Sequence, residues 1–359
     1  MISYYHFQLP FRTPFKTGSG EFSFREGVIL NFRDDKLNVL AEASPLPGFS
    51  RETVENVIAD LKRNNTILDE FLKVQFTLAD FQDFLDNRND SPSIQFAISD
   101  LGRKILQYRR MMPENHPLFR TGVSSVSVNE IVGYHDSKTV KKLILSALKR
   151  GFNTIKIKTP SPDPTLAKIL REIYAQHVNV KFRLDANQNW DVEKLQIFNT
   201  NFQNLPIEYI EEPFAMNSDE DIARASSISD YPIAMDESII NLKHLKKLLK
   251  HHPNQYVILK PMLLGNIFDI SETLSEHRSS YERVVITSSL ESEVGLETTS
   301  FLAAAMGDHK RAHGLNTGHL FPYNLITKNE IRNGFIDLTH ALESPITMDQ
   351  IDSTLLTLL

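Results

Sequence analysis

Cysteine is absent from this 359-residue chain, which removes disulfides, zinc ribbons, iron–sulfur ligation and thiol catalysis together. Excess positive charge is missing too: a net charge of −6 argues against a general surface for nucleic acid or anionic membrane. No apolar run approaches the roughly 18–20 residues that a bilayer-spanning helix requires. The start, Met1-Ile2-Ser3-Tyr4-Tyr5-His6, lacks the basic segment and apolar run of a secretory signal, so a cytoplasmic protein is expected. No Gly-x-Gly-x-x-Gly follows a strand candidate and no Gly-x-Ser-x-Gly occurs, so neither a dinucleotide cradle nor a nucleophile elbow is indicated.

What is present is the composition of a folded globular chain, 41% apolar and 23% charged. Single cores stop growing at roughly 250–300 residues, so two domains are expected. From about residue 124 onward a unit recurs: a short β-branched run, a polar turn, then a helical pattern. Strand candidates begin near Val126, Thr154, Val180, Glu208, Pro232, Tyr256 and Val284, with a weaker one at His313. The period of about 24–28 residues is that of a βα unit, and several runs are apolar on both faces, as helix-covered parallel strands must be. Seven or eight such units close into a barrel. A doubly wound open sheet is the competing architecture, without its glycine fingerprint.

The first 120 residues read differently. Val28–Phe32 and Asn38–Leu40 predict a strand pair around Asp34-Asp35-Lys36, followed by helices over about 52–64 and 92–110. The segments Lys16–Gly20 and Ser44–Ser50 carry loop punctuation, and Gly18-Ser19-Gly20 alone is read as a plain loop rather than a phosphate cradle. A linker is expected through Met112–Pro117. Between Asn241 and His252, leucines on one face and Lys243, Lys246, Lys247 and Lys250 on the other describe an outer barrel helix with a solvated side.

Lys156 and Lys158 lie one residue apart in Thr154-Ile155-Lys156-Ile157-Lys158. Alternate strand residues share a face, so both ammonium groups point the same way. Like charges held together disfavour full protonation and lower an amine's pKa toward the range of a general base. The next strand puts Arg183, Asp185 and Asn187 on one face; later strands end in Glu211-Glu212-Pro213, Asp236-Glu237-Ser238 and Leu259-Lys260-Pro261. In a barrel these ends converge on one mouth. Convergent carboxylates repel severely in a low dielectric, and a hard divalent cation such as Mg²⁺ relieves that cost with oxygen ligands. Taken singly, Asp236 or Glu237 could instead cap the following helix. A Schiff-base aldolase using Lys158 or Lys260, and a catalytically silent barrel, are the readings from other classes.

On these motifs the chain resembles the muconate lactonising subgroup of the enolase superfamily. The resemblance covers nearly the whole chain and implies an α/β fold: a modified (β/α)7β TIM-like barrel at 121–320, an α+β capping domain at 1–120, and a segment at 321–359 returning to the cap. Carried over, it makes Asp185, Glu211 and Asp236 the ligands of Mg²⁺, with Mn²⁺ an alternative. Lys158 becomes the acid/base, Lys156 and Arg183 its electrostatic support, and Lys260 the stabiliser on the opposite substrate face. Loops at 16–24 and 44–51, with Gly18, Ser19 and Phe49, would close over the site; Asn187, Ser288, Ser289 and Glu291 would border the substrate.

The branch resembled dehydrates 2-succinyl-6-hydroxy-2,4-cyclohexadiene-1-carboxylate on the route to menaquinone, so the expected partner is a small-molecule carboxylate. Racemisation of N-succinylamino acids is the alternative activity. Two departures stand out: Gly265-Asn266 where Gly-Gly is frequent, and Asn316-Thr317 where Asp-Thr is common. The absence of Asp-x-Asp near Leu315-Asn316-Thr317-Gly318 counts against dipeptide epimerisation. The oligomeric state is not legible.

Overall fold

The structure, a computed structural model, describes residues 1–17, 20–119, 121–133, 135–277, 282–326, 331–339 and 346–359. The strands β1 (Ile2–Thr17), β2 (Gly20–Arg33) and β3 (Asn38–Ala43) form an antiparallel meander. The chain's last strand, Leu356–Leu358, joins its β1 edge with Leu358 opposite Tyr5. Sequence reading finds the Val28–Phe32 part of β2 and finds β3, but not β1; the loop expected over 16–24 is instead strand at Lys16–Thr17, which end β1, and at Gly20–Phe24, which open β2. Pro10 and Pro14 interrupt the alternation, and the register shifts between Pro10 and Phe15, where a bulge tolerates residues that cannot donate to the ladder.

Three helices follow: α1 (Val54–Lys73), α2 (Leu78–Asp86) and α3 (Pro92–Tyr108). Thr53 and Thr77 start the first two through capping boxes with Asn56 and Asp80. α3 is buried along almost its whole length and lies against β3. Its Gly102 is a contact point: a Cβ there would lie 2.0 Å from the Phe81 ring of α2. Gly102→Ala is expected to lower unfolding stability by about 1–3 kcal/mol through overpacking, overriding a helix-propensity gain of about 1 kcal/mol. A denaturant titration checks this, and an unchanged or raised midpoint would refute it.

The barrel begins after β4 (Ser125–Ser127), which is not a barrel strand. It pairs antiparallel with Phe335–Asp337. The first parallel strand is β5 (Glu130–Val132) rather than a run starting at Val126. Then come α4 (Ser137–Lys149), β6 (Thr154–Lys158), α5 (Pro164–Tyr174), β7 (Lys181–Asp185), α6 (Val192–Asn201), β8 (Ile207–Glu211), α7 (Asp219–Ile228), β9 (Ile233–Met235), α8 (Leu242–His251), β10 (Tyr256–Leu259), the short α9 (Pro261–Leu264), α10 (Ile267–Glu276), β11 (Val284–Ile286) and α11 (Glu293–Met306). Strands β5 to β11 are all parallel and neighbours in chain order.

The predicted eighth strand at His313 is reduced to two bridges. His313 pairs with Val128 before β5, and Gly314 with Thr287 after β11. The backbone bonds Asn129 N to His313 O, 2.9 Å, and Gly314 N to Ile286 O, 2.9 Å, join the two sheet edges. The fold is thus a TIM-like α/β barrel with an antiparallel sheet and its helices as cap. One apolar core runs from Tyr4, Val28 and Leu30 through α1 and α3 into Ile155, Phe182 and Leu259. Among the described residues no helix is long and apolar enough to cross a membrane.

Candidate active site

Strand register places the acids level with one another. Lys158 stands opposite Asp185, and Asp185 opposite Glu211; Glu211 is level with Ala234, two residues before Asp236. The odd positions of β8 and the even ones of β6 and β9 therefore face the barrel axis at its C-terminal mouth. Neither Asp236 nor Glu237 caps α8: Asn241 does, accepting from His244 N at 3.0 Å. That leaves Asp236 for an ion pair with Lys260.

Lys156 Nζ lies 2.9 Å from Asp185 Oδ2 and 2.6 Å from Glu211 Oε1. Lys158 Nζ lies 2.6 Å from the same Asp185 oxygen and 2.7 Å from Asn187 Oδ1. Asn187 in turn donates to Glu237 Oε1 at 2.9 Å. The side chains of Lys156 and Lys260 are each 14% exposed, that of Lys158 36%. Lys158 is the lysine open to a substrate, while Lys156 is sealed among the acids.

These contacts reverse one expectation. Burial would depress the Lys156 amine, but Asp185 and Glu211 beside it hold it well above the usual lysine range. Lys260 is raised in the same way, burial being outweighed by Asp236 and Glu237. Opposite charges within 3 Å outweigh a like-charged neighbour on the same strand. Asp185 is pushed up by burial yet held far below the normal carboxylate range by Lys156 and Lys158. Glu211 goes the other way, raised to about 8 by burial and then by Asp185.

Among the described residues no three acidic or histidine side chains are gathered as a ready metal cage; ammonium groups stand between the acids instead. The donor set nevertheless fits a hard cation. All of its donors are oxygens, and Glu211 Oε2 is buried without a hydrogen-bond partner. Burial and the neighbouring Asp185 both disfavour the charged form of Glu211. A divalent ion held by Asp185, Glu211 and Asp236 would give that orphaned oxygen a partner and offset the repulsion.

Other expected site residues fall elsewhere. Arg183 is fully buried one layer below, stacked at 4.9 Å over Tyr209 and bonded to Glu208 at 2.6 Å and Asn129 at 3.0 Å. It belongs to the barrel floor with Arg311, which also reaches Glu208. Ser288, Ser289 and Glu291 are buried in their own turn, with Ser289 N donating to Glu291 Oε2 at 2.9 Å. Thr317 ties Ser288 to the last barrel segment at 3.0 Å. Asn266, one of the two departures, caps α10 by accepting from Phe268 N at 3.0 Å. Gly18 and Ser19 lie outside the described residues. Phe49 does reach the site, its ring 5.2 Å from Lys260 Nζ.

Two organising residues escaped the sequence reading. Glu212 accepts from Asp236 N at 3.0 Å and Ser238 N at 2.7 Å, fixing the turn that carries Asp236. The Glu-Glu pair was its only signal. Arg25 is buried and donates to Leu290 O at 3.1 Å and Pro45 O at 2.6 Å, clipping the 44–50 loop to the barrel. Nothing local distinguishes it.

A cavity of about 290 Å³ opens beside Lys260, walled by Phe49, Ile239, Ile240, Ile258 and Leu263 with Arg51 among its other lining residues.

Comparison with known proteins agrees with this fold. The Enolase C-terminal domain-like family matches residues 139–342, and the MenC, N-terminal domain family residues 1–101. The chain is 25% identical to an o-succinylbenzoate synthase of Aliivibrio fischeri, over 90% of its own length and 92% of that relative's. It is 28% identical to an L-amino acid-D/L-Glu epimerase of Sulfurimonas denitrificans, but spans only 52% of that protein. A solved o-succinylbenzoate synthase from Thermosynechococcus elongatus BP-1, complexed with Mg in its active site, superposes with a TM-score of 0.68 at 21% identity. That superposition covers 88% of this chain and 92% of the other. The structural likeness shows the shared fold.

The chain belongs to the Enolase C-terminal domain-like family. It is an enzyme of the enolase superfamily, with o-succinylbenzoate synthases among its relatives.

Proposed function

We propose that this enzyme is a metal-dependent lyase, an o-succinylbenzoate synthase that eliminates water from 2-succinyl-6-hydroxy-2,4-cyclohexadiene-1-carboxylate. The observation that carries the reading is the pair of lysines across one mouth. Lys158 on β6 and Lys260 after β10 are separated by four strand steps, half the circuit of an eight-stranded barrel. They flank Asp185, Glu211 and Asp236 from either side.

Asp185, Glu211 and Asp236 are the residues that would hold Mg²⁺ or Mn²⁺. The ion would supply Lewis-acid charge that acidifies the carbon α to a carboxylate and would replace the lysines as counter-charge of Asp185. Lys158 takes the proton from that carbon, the electron pair forms the ring double bond, and the C–O bond to the hydroxyl breaks. The same ammonium returns the proton to the departing hydroxyl, so water leaves from one face. Lys260 stands on the other face and stabilises the enediolate charge as it develops. Lys156, sealed between Asp185 and Glu211, contributes charge and position. Phe49 covers the Lys260 side and limits water.

The MenC-type N-terminal match and the synthase relative spanning most of both chains support dehydration over epimerisation. The opposed lysines also suit 1,1-proton transfer, which keeps N-succinylamino acid racemisation as the second reading. We also propose the division 1–120, 121–320 and 321–359 for the cap, the barrel and the returning segment, and the cytoplasm as compartment.

Incubation with the cyclohexadiene carboxylate, followed by ultraviolet absorbance of the aromatic product, tests the reading. Turnover is expected with Mg²⁺, is lost to below about 1% with excess EDTA, and returns on adding Mg²⁺ or Mn²⁺. Undiminished turnover in EDTA would sink the metal assignment, and no turnover at all the dehydratase.

A further inference from the structure

The cavity beside Lys260 combines two kinds of surface. Its wall is apolar, formed by Phe49, Ile239, Ile240, Ile258 and Leu263. Two cations line it, Lys260 and Arg51, together with the acids Glu52, Asp236 and Glu237. Lys260 is committed to Asp236. The neighbouring acid that could have neutralised Arg51 is also committed: Glu52 Oε1 accepts from Ser93 N at 3.1 Å and Ser93 Oγ at 2.8 Å. Glu237 is engaged by Asn187. Arg51 is exposed and, among the described residues, stands outside every ion pair and side-chain hydrogen bond of the loop that carries it.

That loop is built firmly. Leu46 O accepts from Phe49 N at 3.1 Å and Ser50 N at 2.8 Å, and Ser50 Oγ accepts from Leu46 N at 2.8 Å. Buried Arg25 holds its base through Pro45 O. A guanidinium without a partner among the described residues, on a fixed loop lining an apolar pocket, matches a ligand with an aliphatic segment ending in an anion. Its planar fork suits a carboxylate.

We propose that Arg51 binds a second, terminal carboxylate of the substrate and selects dicarboxylates whose distal acid is joined to the reacting ring or carbon by a short apolar chain. This rests on the proposed function for the identity of the reacting end, but not on whether that end is dehydrated or racemised.

Binding separates the two. Dissociation constants of o-succinylbenzoate and of its butanoyl analogue, in which a methyl group replaces the distal carboxylate, are measured by calorimetry in Mg²⁺ for the wild type, Arg51→Gln and Arg51→Lys. Arg51→Gln is expected to weaken the succinyl compound by about ten- to hundredfold, the range of a charge-assisted hydrogen bond. The butanoyl compound should bind both proteins alike, and Arg51→Lys should recover part of the loss. Equal affinity of wild type and Arg51→Gln for the succinyl compound would overturn the proposal, as would an equal loss on both ligands, which marks loop damage. Selective binding without turnover would overturn the dehydratase reading alone; turnover without selectivity would overturn only the role of Arg51.

Discussion

Lys158→Ala is expected to lower kcat/KM for the cyclohexadiene carboxylate by about 10³–10⁴-fold, the contribution of a positioned acid–base group. Lys158 is the most exposed of the three mouth lysines, and Lys156 cannot replace it while held between Asp185 and Glu211. The fold should survive, because truncation removes a cation from the open end of the site and leaves Asp185 with Lys156 as partner. The informative control is isotopic. In D₂O with an N-succinylamino acid, Lys158→Ala and Lys260→Ala should each retain α-proton exchange on opposite enantiomers if the enzyme transfers protons at both faces. For the dehydration, Lys260→Ala should lose less than Lys158→Ala, since it removes charge stabilisation without removing the base. Equal activity of wild type and Lys158→Ala would refute the assignment.

Asp185→Asn carries the second large effect. One Asp185 oxygen is shared by two ammonium groups at 2.9 and 2.6 Å inside a fully buried carboxylate. The amide keeps the shape but removes the charge, leaving Lys156 with Glu211 as its acidic partner and Lys158 with the Asn187 amide oxygen. Breaking a buried pair in this way costs about 3–5 kcal/mol, so the apparent Tm should fall. Mg²⁺ affinity should weaken by at least about 100-fold with the loss of a charged ligand. The two consequences separate in one experiment: Mg²⁺ raises the Tm of the wild type through linkage and leaves that of Asp185→Asn unmoved. A Mg²⁺-induced rise of the same size in both proteins would show that Asp185 is no ligand.

Much of this arrangement is legible in the sequence. The ends of β6 to β10 were legible because parallel strands are apolar on both faces, so a lysine, aspartate or glutamate at their C-terminal ends breaks a clear pattern. The first barrel strand was misplaced because β4 and β5 form one β-branched stretch in sequence, Val126 to Val132. Only the pairing of β4 with Phe335–Asp337, some 200 residues away, divides it. β1 was hidden by two prolines, and α2, nine residues long, by its brevity. Arg183 shares the face of Asp185, as alternation requires, but alternation does not say at what depth in the barrel a side chain stops.

The sequence by itself determined which residues share a strand face, which strand ends carry charge, and that a barrel would bring those ends together. Those facts follow from periods of 2 and 3.6 residues, which are local. The tertiary structure alone decided which charges meet: Lys156 with Glu211, 55 residues apart, Asp236 with Lys260, and Arg51 with none in its own loop. Electrostatic energy depends on separations of a few ångströms and on burial. Neither is a function of spacing along the chain, so the upward direction of the Lys156 and Lys260 shifts follows only from the opposing carboxylates in place.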